Sequence, residues 1–272
     1  MSSTAQAPAT SEANARAQIE LHKELAPRYA YRYSFEFSRL FQQDWHAEMI
    51  GHVPPGSKRI LDLGCGTGFF LAELEQHHPG SVGLDISHAM LKVSDQYVPD
   101  ARLVTGDAEK LPFKPGVFDV VFCKGSLHHT RDHVAFLTHC RKALRPGGVL
   151  IMSEPCNDNP IIRLARAILY RKSQHFDVGD QGFTKKGIVS LCEQAGFKVT
   201  KVKKYGILAY TFAGFPDHLG FLRFIPGNAL ITRGFIALDR LICATPGLSI
   251  FGFHVVVVGE PGPSAAEAEV TS

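Results

Sequence analysis

The sequence predicts an α/β fold: a doubly wound sheet with helices on both faces and helical lid insertions. Three observations predict it. Apolar runs alternate with helical patterns from Lys58 to Ser153, the rhythm of stacked βαβ units. The first strand runs into a glycine-rich turn, Gly64-Cys65-Gly66-Thr67-Gly68. An acidic residue then closes each of the next two apolar runs, Asp85 and Asp107, at the strand ends where open parallel sheets bind ligands.

Strands are expected near residues 58–63, 81–85, 101–105, 117–123 and 148–153, rich in Val, Ile, Leu and Phe as suits strands covered on both faces. Helical spacing marks Phe69–His77, Ser87–Tyr97 and Arg131–Leu144, the last with Val134, Leu137, Cys140 and Leu144 on one stripe. Arg145-Pro146-Gly147-Gly148 should stop that helix and turn the chain into the next strand. A helix over Thr184–Ala195 ends at Gly196 and leads into a strand from Phe197 to Tyr205, and the last strand is His254–Gly259. Between those two strands lies an apolar insertion of about 45 residues, too long for an ordinary connection and so expected to be functional. Within it, Asn228–Cys243 reads as a helix capped by Asn228. A single domain over residues 18–259 follows, with lid segments near 18–50, 155–183 and 206–252 and disordered tails at 1–17 and 260–272.

The glycine turn implies a nucleoside-like cofactor, because closely spaced glycines let the main chain approach a ligand where a β-carbon would collide. Its spacing is GxGxG, and bulky Phe69 stands where the dinucleotide fingerprint GxGxxG needs a third glycine. That argues against NAD or FAD. Asp85, followed by Ile86, could accept both hydroxyls of a ribose or else cap the helix from Ser87. Asp107, followed by Ala108, could accept from an adenine amine or simply close a turn. Asp62, inside the first strand, would hold the glycine loop or a ligand's ammonium, since burying it unpaired is costly.

The ordered motifs LDLGCGTG (Leu61–Gly68), GLDIS (Gly83–Ser87), TGDAEKLPF (Thr105–Phe113), FDVVFCKGSLHH (Phe118–His129) and LRPGGVLIMSEP (Leu144–Pro155) resemble the class I S-adenosylmethionine-dependent methyltransferases, type 11 domain. Ubiquinone and menaquinone C-methyltransferases share that domain. The resemblance covers residues 60–154. It implies a Rossmann-like seven-stranded sheet of order 3-2-1-4-5-7-6 with the last strand antiparallel. It also implies that S-adenosyl-L-methionine is the cofactor. Gly64, Gly66 and Gly68 would line its methionine part, Asp85 its ribose, Asp107 and Ala108 its adenine, and the Lys124 backbone its amino group.

Methyl transfer from a sulfonium is an in-line displacement for which the protein mainly positions and desolvates. A base is needed only where the acceptor, a hydroxyl or carbon acid, must lose a proton. His128 and His129 stand at the right sheet edge for that role, with Glu154 as a second candidate at the end of the fifth strand. In the blander alternative one histidine caps the following helix. Tyr29, Tyr31 and Tyr33 with Trp45 could form an N-terminal lid, Tyr29 and Tyr33 lying nearest the cofactor.

The acceptor is expected to be small and hydrophobic, of lipid, prenyl or polyketide type. Two segments point that way: the insertion, and a basic amphipathic helix over Pro160–Lys172 with Arg163 and Arg166 opposite its apolar side. Either could be an ordinary lid, a lid over a lipid-like acceptor, or a peripheral membrane contact. No run of about 18 apolar residues suggests a spanning helix. Lys+Arg 29 against Asp+Glu 26 is too balanced to argue for nucleic acid. No NPPY-type motif follows the fourth strand, where Lys124-Gly125-Ser126-Leu127 stands, which lowers nucleobase amino-group methylation. Six cysteines without a CxxC pair read as reduced core thiols of a cytoplasmic protein with no metal site. A protein that binds the same cofactor without transferring methyl is the alternative.

Overall fold

The computed structural model describes residues 19–20, 34–160, 182–214 and 220–262. Seven strands form one sheet: β1 (Ile60–Leu63), β2 (Val82–Asp85), β3 (Arg102–Thr105), β4 (Phe118–Lys124), β5 (Leu144–Pro155), β6 (Phe197–Tyr205) and β7 (His254–Pro261). Their order is β3-β2-β1-β4-β5-β7-β6. β1 to β5 pair in parallel, and β7 runs antiparallel to both β5 and β6. The ends of β1, β4, β5 and β6 therefore share one edge, and β7 begins there, with His254 paired to both Pro155 and Tyr205.

Seven helices of the described residues flank the sheet: α1 (Glu36–Ile50), α2 (Phe69–His77), α3 (His88–Tyr97), α4 (His133–Ala143), α5 (Lys185–Gln194), α6 (Leu208–Ala213) and α7 (Asn228–Ala244). Phe136, Leu137 and Cys140 of α4 and Ile188 of α5 pack one sheet face. Phe37, Phe41 and Met49 of α1 and Phe70 and Leu74 of α2 pack the other. β1 and β4 sit between these layers, which is why Ile60–Leu63 and Phe118–Cys123 are buried without alternation.

Four local expectations change. Arg145–Gly148 does not end ahead of the strand. It lies inside β5 as an irregularity, Phe118 pairing Leu144 and Val120 pairing Val149, because Asp119 on β4 binds the Arg145 guanidinium and draws the segment in. α4 starts at His133, and its cap is the Asp132 carboxylate accepting the Ala135 N–H at 2.8 Å, so neither His128 nor His129 caps it. α7 is entered through Gly227 at φ +73°, and Asn228 instead donates its amide to the Leu222 and Arg223 carbonyls. β7 runs on to Pro261, past residue 259, because Phe197 and Lys198 of β6 still pair with it there. Tyr29, Tyr31, Tyr33 and most of the helix expected over Pro160–Lys172 lie outside the described residues.

Candidate active site

The turn after β1 is built around three left-handed glycines. Gly64, Gly66 and Gly68 have φ of +77°, +54° and +81°, conformations that any Cβ would strain. Their surroundings differ. A Cβ on Gly64 would strike the Ser126 side chain and one on Gly68 the Ser94 side chain, whereas one on Gly66 would meet no atom within 4 Å. The outer glycines thus fit the loop into the protein, and Gly66 faces open space. Phe69 opens α2 with its ring 4.6 Å from that of Tyr97. Gly83 on β2 does the packing that a third loop glycine would do, since a Cβ there would lie 2.6 Å from Leu71 of α2.

Asp85 pins this loop. Its two oxygens accept the Gly66 and Ser87 N–H groups, each at 2.8 Å. Ser87, not Asp85, caps α3, accepting the Met90 N–H. Ile86 follows, half-buried. Asp107 closes a turn through the Glu109 N–H at 2.8 Å, with Ala108 half-buried against the core beside it.

Asp62 is 1% exposed, and its Oδ2 has no hydrogen-bond partner. Burial pushes its carboxyl up to about 7, with Lys124 opposing and Asp85 adding to the rise. A buried carboxylate oxygen without a partner is costly. Together with the open space at Gly66, it fits a ligand carrying a positive group.

Across the crevice, β4 and β5 bring two candidates together. His128, in a 3-10 turn over Leu127–His129, has Nδ1 at 2.7 Å from Glu154 Oε2. Glu154 has no exposed side-chain surface. It lies beneath the crevice rather than on its wall, its Oε1 accepting the Ser126 and Leu127 N–H groups at 3.0 and 2.8 Å. Through Oε2 it holds the His128 ring from below. The His129 ring centre lies 4.0 Å from that of His128, the two rings tilted by 40°.

Lys124 ends β4 with its ammonium 4.4 Å above the Trp45 ring and 3.4 Å from Gln42 Oε1. Trp45 in turn donates to Ser153 Oγ at 3.0 Å, so the α1 aromatic is anchored to the sheet. His254 is the residue that sequence reasoning missed. It is buried between Trp45 at 4.2 Å and Tyr210 at 4.7 Å, and neither ring nitrogen has a hydrogen-bond partner. Burial, with the nearby charges of Lys124 and His128, pushes it down to about 3. The available signal was a lone histidine opening the valine run of the last strand at the ligand edge.

Residues 61–152 match the family model described as a methyltransferase domain. Over these residues the chain carries a methyltransferase domain. It is similar to the trans-aconitate 2-methyltransferase of Deinococcus radiodurans, 36% identical over 132 residues, which are 47% of this chain and 49% of that protein. It is also similar to the demethylmenaquinone methyltransferase of Lysinibacillus sphaericus, 29% identical over 65% of this chain and 84% of that protein. The match to the first of these spans about half of that relative's length. Among solved structures the [4+2]-cyclase SpnF shares the fold of the methyltransferase domain at TM-score 0.57 and 18% identity, over 83% of this chain and 80% of that one. That likeness speaks to fold alone.

Proposed function

We propose that the protein is an S-adenosylmethionine-dependent methyltransferase acting on a small hydrophobic acceptor, at an oxygen or a carbon. The observation that carries this reading is the buried, unpartnered Asp62 oxygen at the foot of a glycine loop that faces open space. When bound, S-adenosylmethionine supplies an electrophilic methyl on a sulfonium. Asp62 would hold its ammonium with the Lys124 main chain, Gly64, Gly66 and Gly68 its methionine part, Asp85 and Ile86 the ribose, and Asp107 with Ala108 the adenine.

The Glu154 carboxylate accepts a hydrogen bond from Nδ1–H of His128, leaving Nε2 as the basic nitrogen. A histidine held in that tautomer suits an acceptor that must lose a proton, hence oxygen or carbon attack. The aromatic wall of Trp45, Tyr210 and Phe253 around His254 supports a hydrophobic acceptor with one polar atom for that ring. The demethylmenaquinone named for one relative is in keeping with such an acceptor.

Calorimetry with S-adenosylmethionine, followed by S-adenosylhomocysteine formation with fractionated host extract, tests the reading. Micromolar binding and turnover on an apolar fraction are expected. Binding without turnover on any fraction would replace methyl transfer by cofactor binding alone.

A further inference from the structure

Helix α7 is apolar on both faces. Phe235 and Ile236 pack inward beside the buried Thr232 and Asp239, while Leu230, Leu238 and Leu241 point outward, 74%, 42% and 65% exposed. The cause is how the helix is fastened. Asp239 accepts the N–H groups of Ile207, Leu208 and Ala209 at 2.8 to 3.0 Å, capping α6 from outside, and the Thr232 hydroxyl donates to the Asn228 carbonyl at 2.9 Å. With the face of Thr232, Phe235, Ile236 and Asp239 turned inward, Leu230, Gly234, Leu238 and Leu241 form an outward stripe at helical spacing.

The stripe continues into the flanking 3-10 turns, where Phe221, Phe224, Leu248 and Ile250 are 43% to 72% exposed. Tyr97 is the single large exposed hydrophobic of the described residues outside this segment. Contiguous exposed apolar surface of this kind marks an interaction site. Charge identifies the partner. Residues 220–253 contain three arginines and one acid, the buried Asp239. Arg240 pairs with Asp44, and Arg223 and Arg233 stand at exposed positions beside the stripe. A second copy docked about a two-fold axis would bring these arginines together with no acid of the segment to receive them.

We propose that α7 and its flanking turns form an interfacial docking surface for an anionic lipid bilayer. The leucines and phenylalanines enter the acyl boundary, and Arg223 and Arg233 meet lipid phosphates. No helix of the described residues is long and apolar enough to cross a membrane, so the contact is superficial. The segment joins the end of β6 to the start of β7, at the sheet edge where β1 and β4 also end. The surface stands on the geometry of α7 and is independent of the methyl-transfer reading.

Co-sedimentation of the full chain with vesicles of phosphatidylcholine, with and without about one-third phosphatidylglycerol, tests it. The wild-type protein is expected to partition onto the anionic vesicles. Leu230→Asp with Leu241→Asp, both at exposed positions, should weaken partition about tenfold or more. Arg233→Ala should weaken it about fivefold on anionic vesicles only. Wild-type protein left in the supernatant, equal partition onto neutral vesicles, or a leucine variant that binds as wild type would each overturn the proposal. So would a concentration-dependent dimer dissolved by the leucine substitutions in the absence of vesicle binding. Cofactor binding is read separately by calorimetry: its failure with vesicle binding intact removes the methyl-transfer reading and leaves the docking surface standing.

Discussion

Nδ1 of His128 lies 2.7 Å from Oε2 of Glu154, a carboxylate with no solvent-exposed surface whose other oxygen is held by two backbone N–H groups. The arrangement orients an imidazole from below. His128→Ala should lower kcat by about 10² to 10⁴ with the cofactor Kd unchanged. Glu154→Gln keeps a carbonyl for the Ser126 and Leu127 N–H groups but sets an amide against Nδ1–H, favouring the wrong tautomer. It should lower kcat at least about tenfold and change its pH profile. A Glu154→Gln enzyme with wild-type kcat and pH profile would remove the positioning role.

The pH dependence of Asp62 has a definite sign. Its carboxyl is pushed up to about 7 in the fold, against an unfolded value near 4. The folded chain therefore keeps a proton that the unfolded chain releases, and stability falls as pH rises from about 4 to about 7, then levels off. Cofactor affinity should run the other way, since an ammonium prefers the ionised form: it should strengthen up to about tenfold per pH unit below 7 and flatten above. Asp62→Asn should abolish both trends and stabilise the ligand-free chain by about 2 kcal/mol at alkaline pH. Thermal melts and calorimetry from about pH 6 to pH 8 check the pair.

The loop glycines separate into two kinds. Gly64→Ala forces a left-handed alanine into the Ser126 side chain, costing about 1 kcal/mol for backbone conformation and more for the collision. Gly66→Ala carries the backbone cost alone and should act chiefly on cofactor binding. Adding Ser126→Gly to Gly64→Ala should recover part of the lost stability, while adding it to Gly66→Ala should recover none. Urea titrations of the four variants decide this.

His254→Phe keeps the ring between Trp45 and Tyr210 and removes two unpaired buried nitrogens. The fold should be unchanged or about 1 kcal/mol more stable, and KM for the acceptor should rise while cofactor Kd stays. A wild-type KM in that variant would take His254 out of the acceptor site.

Asp239→Ala leaves three backbone N–H groups at the start of α6 without their acceptor. The loss should be on the order of 3 kcal/mol. It should appear first as faster hydrogen exchange over residues 207–213, ahead of any change in the β1–β4 centre.

The sheet was legible because its signals are local. Ile60–Leu63 and Phe118–Cys123 are apolar runs of strand length bounded by glycines, and Ser87 and Thr184 cap helices by contacts within three residues. The glycine loop, with Asp85 about twenty residues on, was legible for the same reason. Gly83 was not, because its need for space comes from Leu71 on a neighbouring element. The RPGG segment misled because Asp119, 26 residues before Arg145, draws it into the strand.

The sequence by itself determined which residues form strands and helices, which end of the sheet carries the ligand loop, and which chemical groups gather there. Periodicity and caps act over a few residues, so they survive in the linear order. Tertiary structure alone decided that Glu154 serves His128 from beneath, since the pairing depends on the parallel register of β4 with β5. It alone decided that His254 meets Trp45 and Tyr210 from two other elements. And it decided which face of α7 is inside: spacing shows which residues share a face, but only the three N–H groups at the head of α6, which need an acceptor, turn Asp239 inward and leave Leu230 and Leu241 in the open.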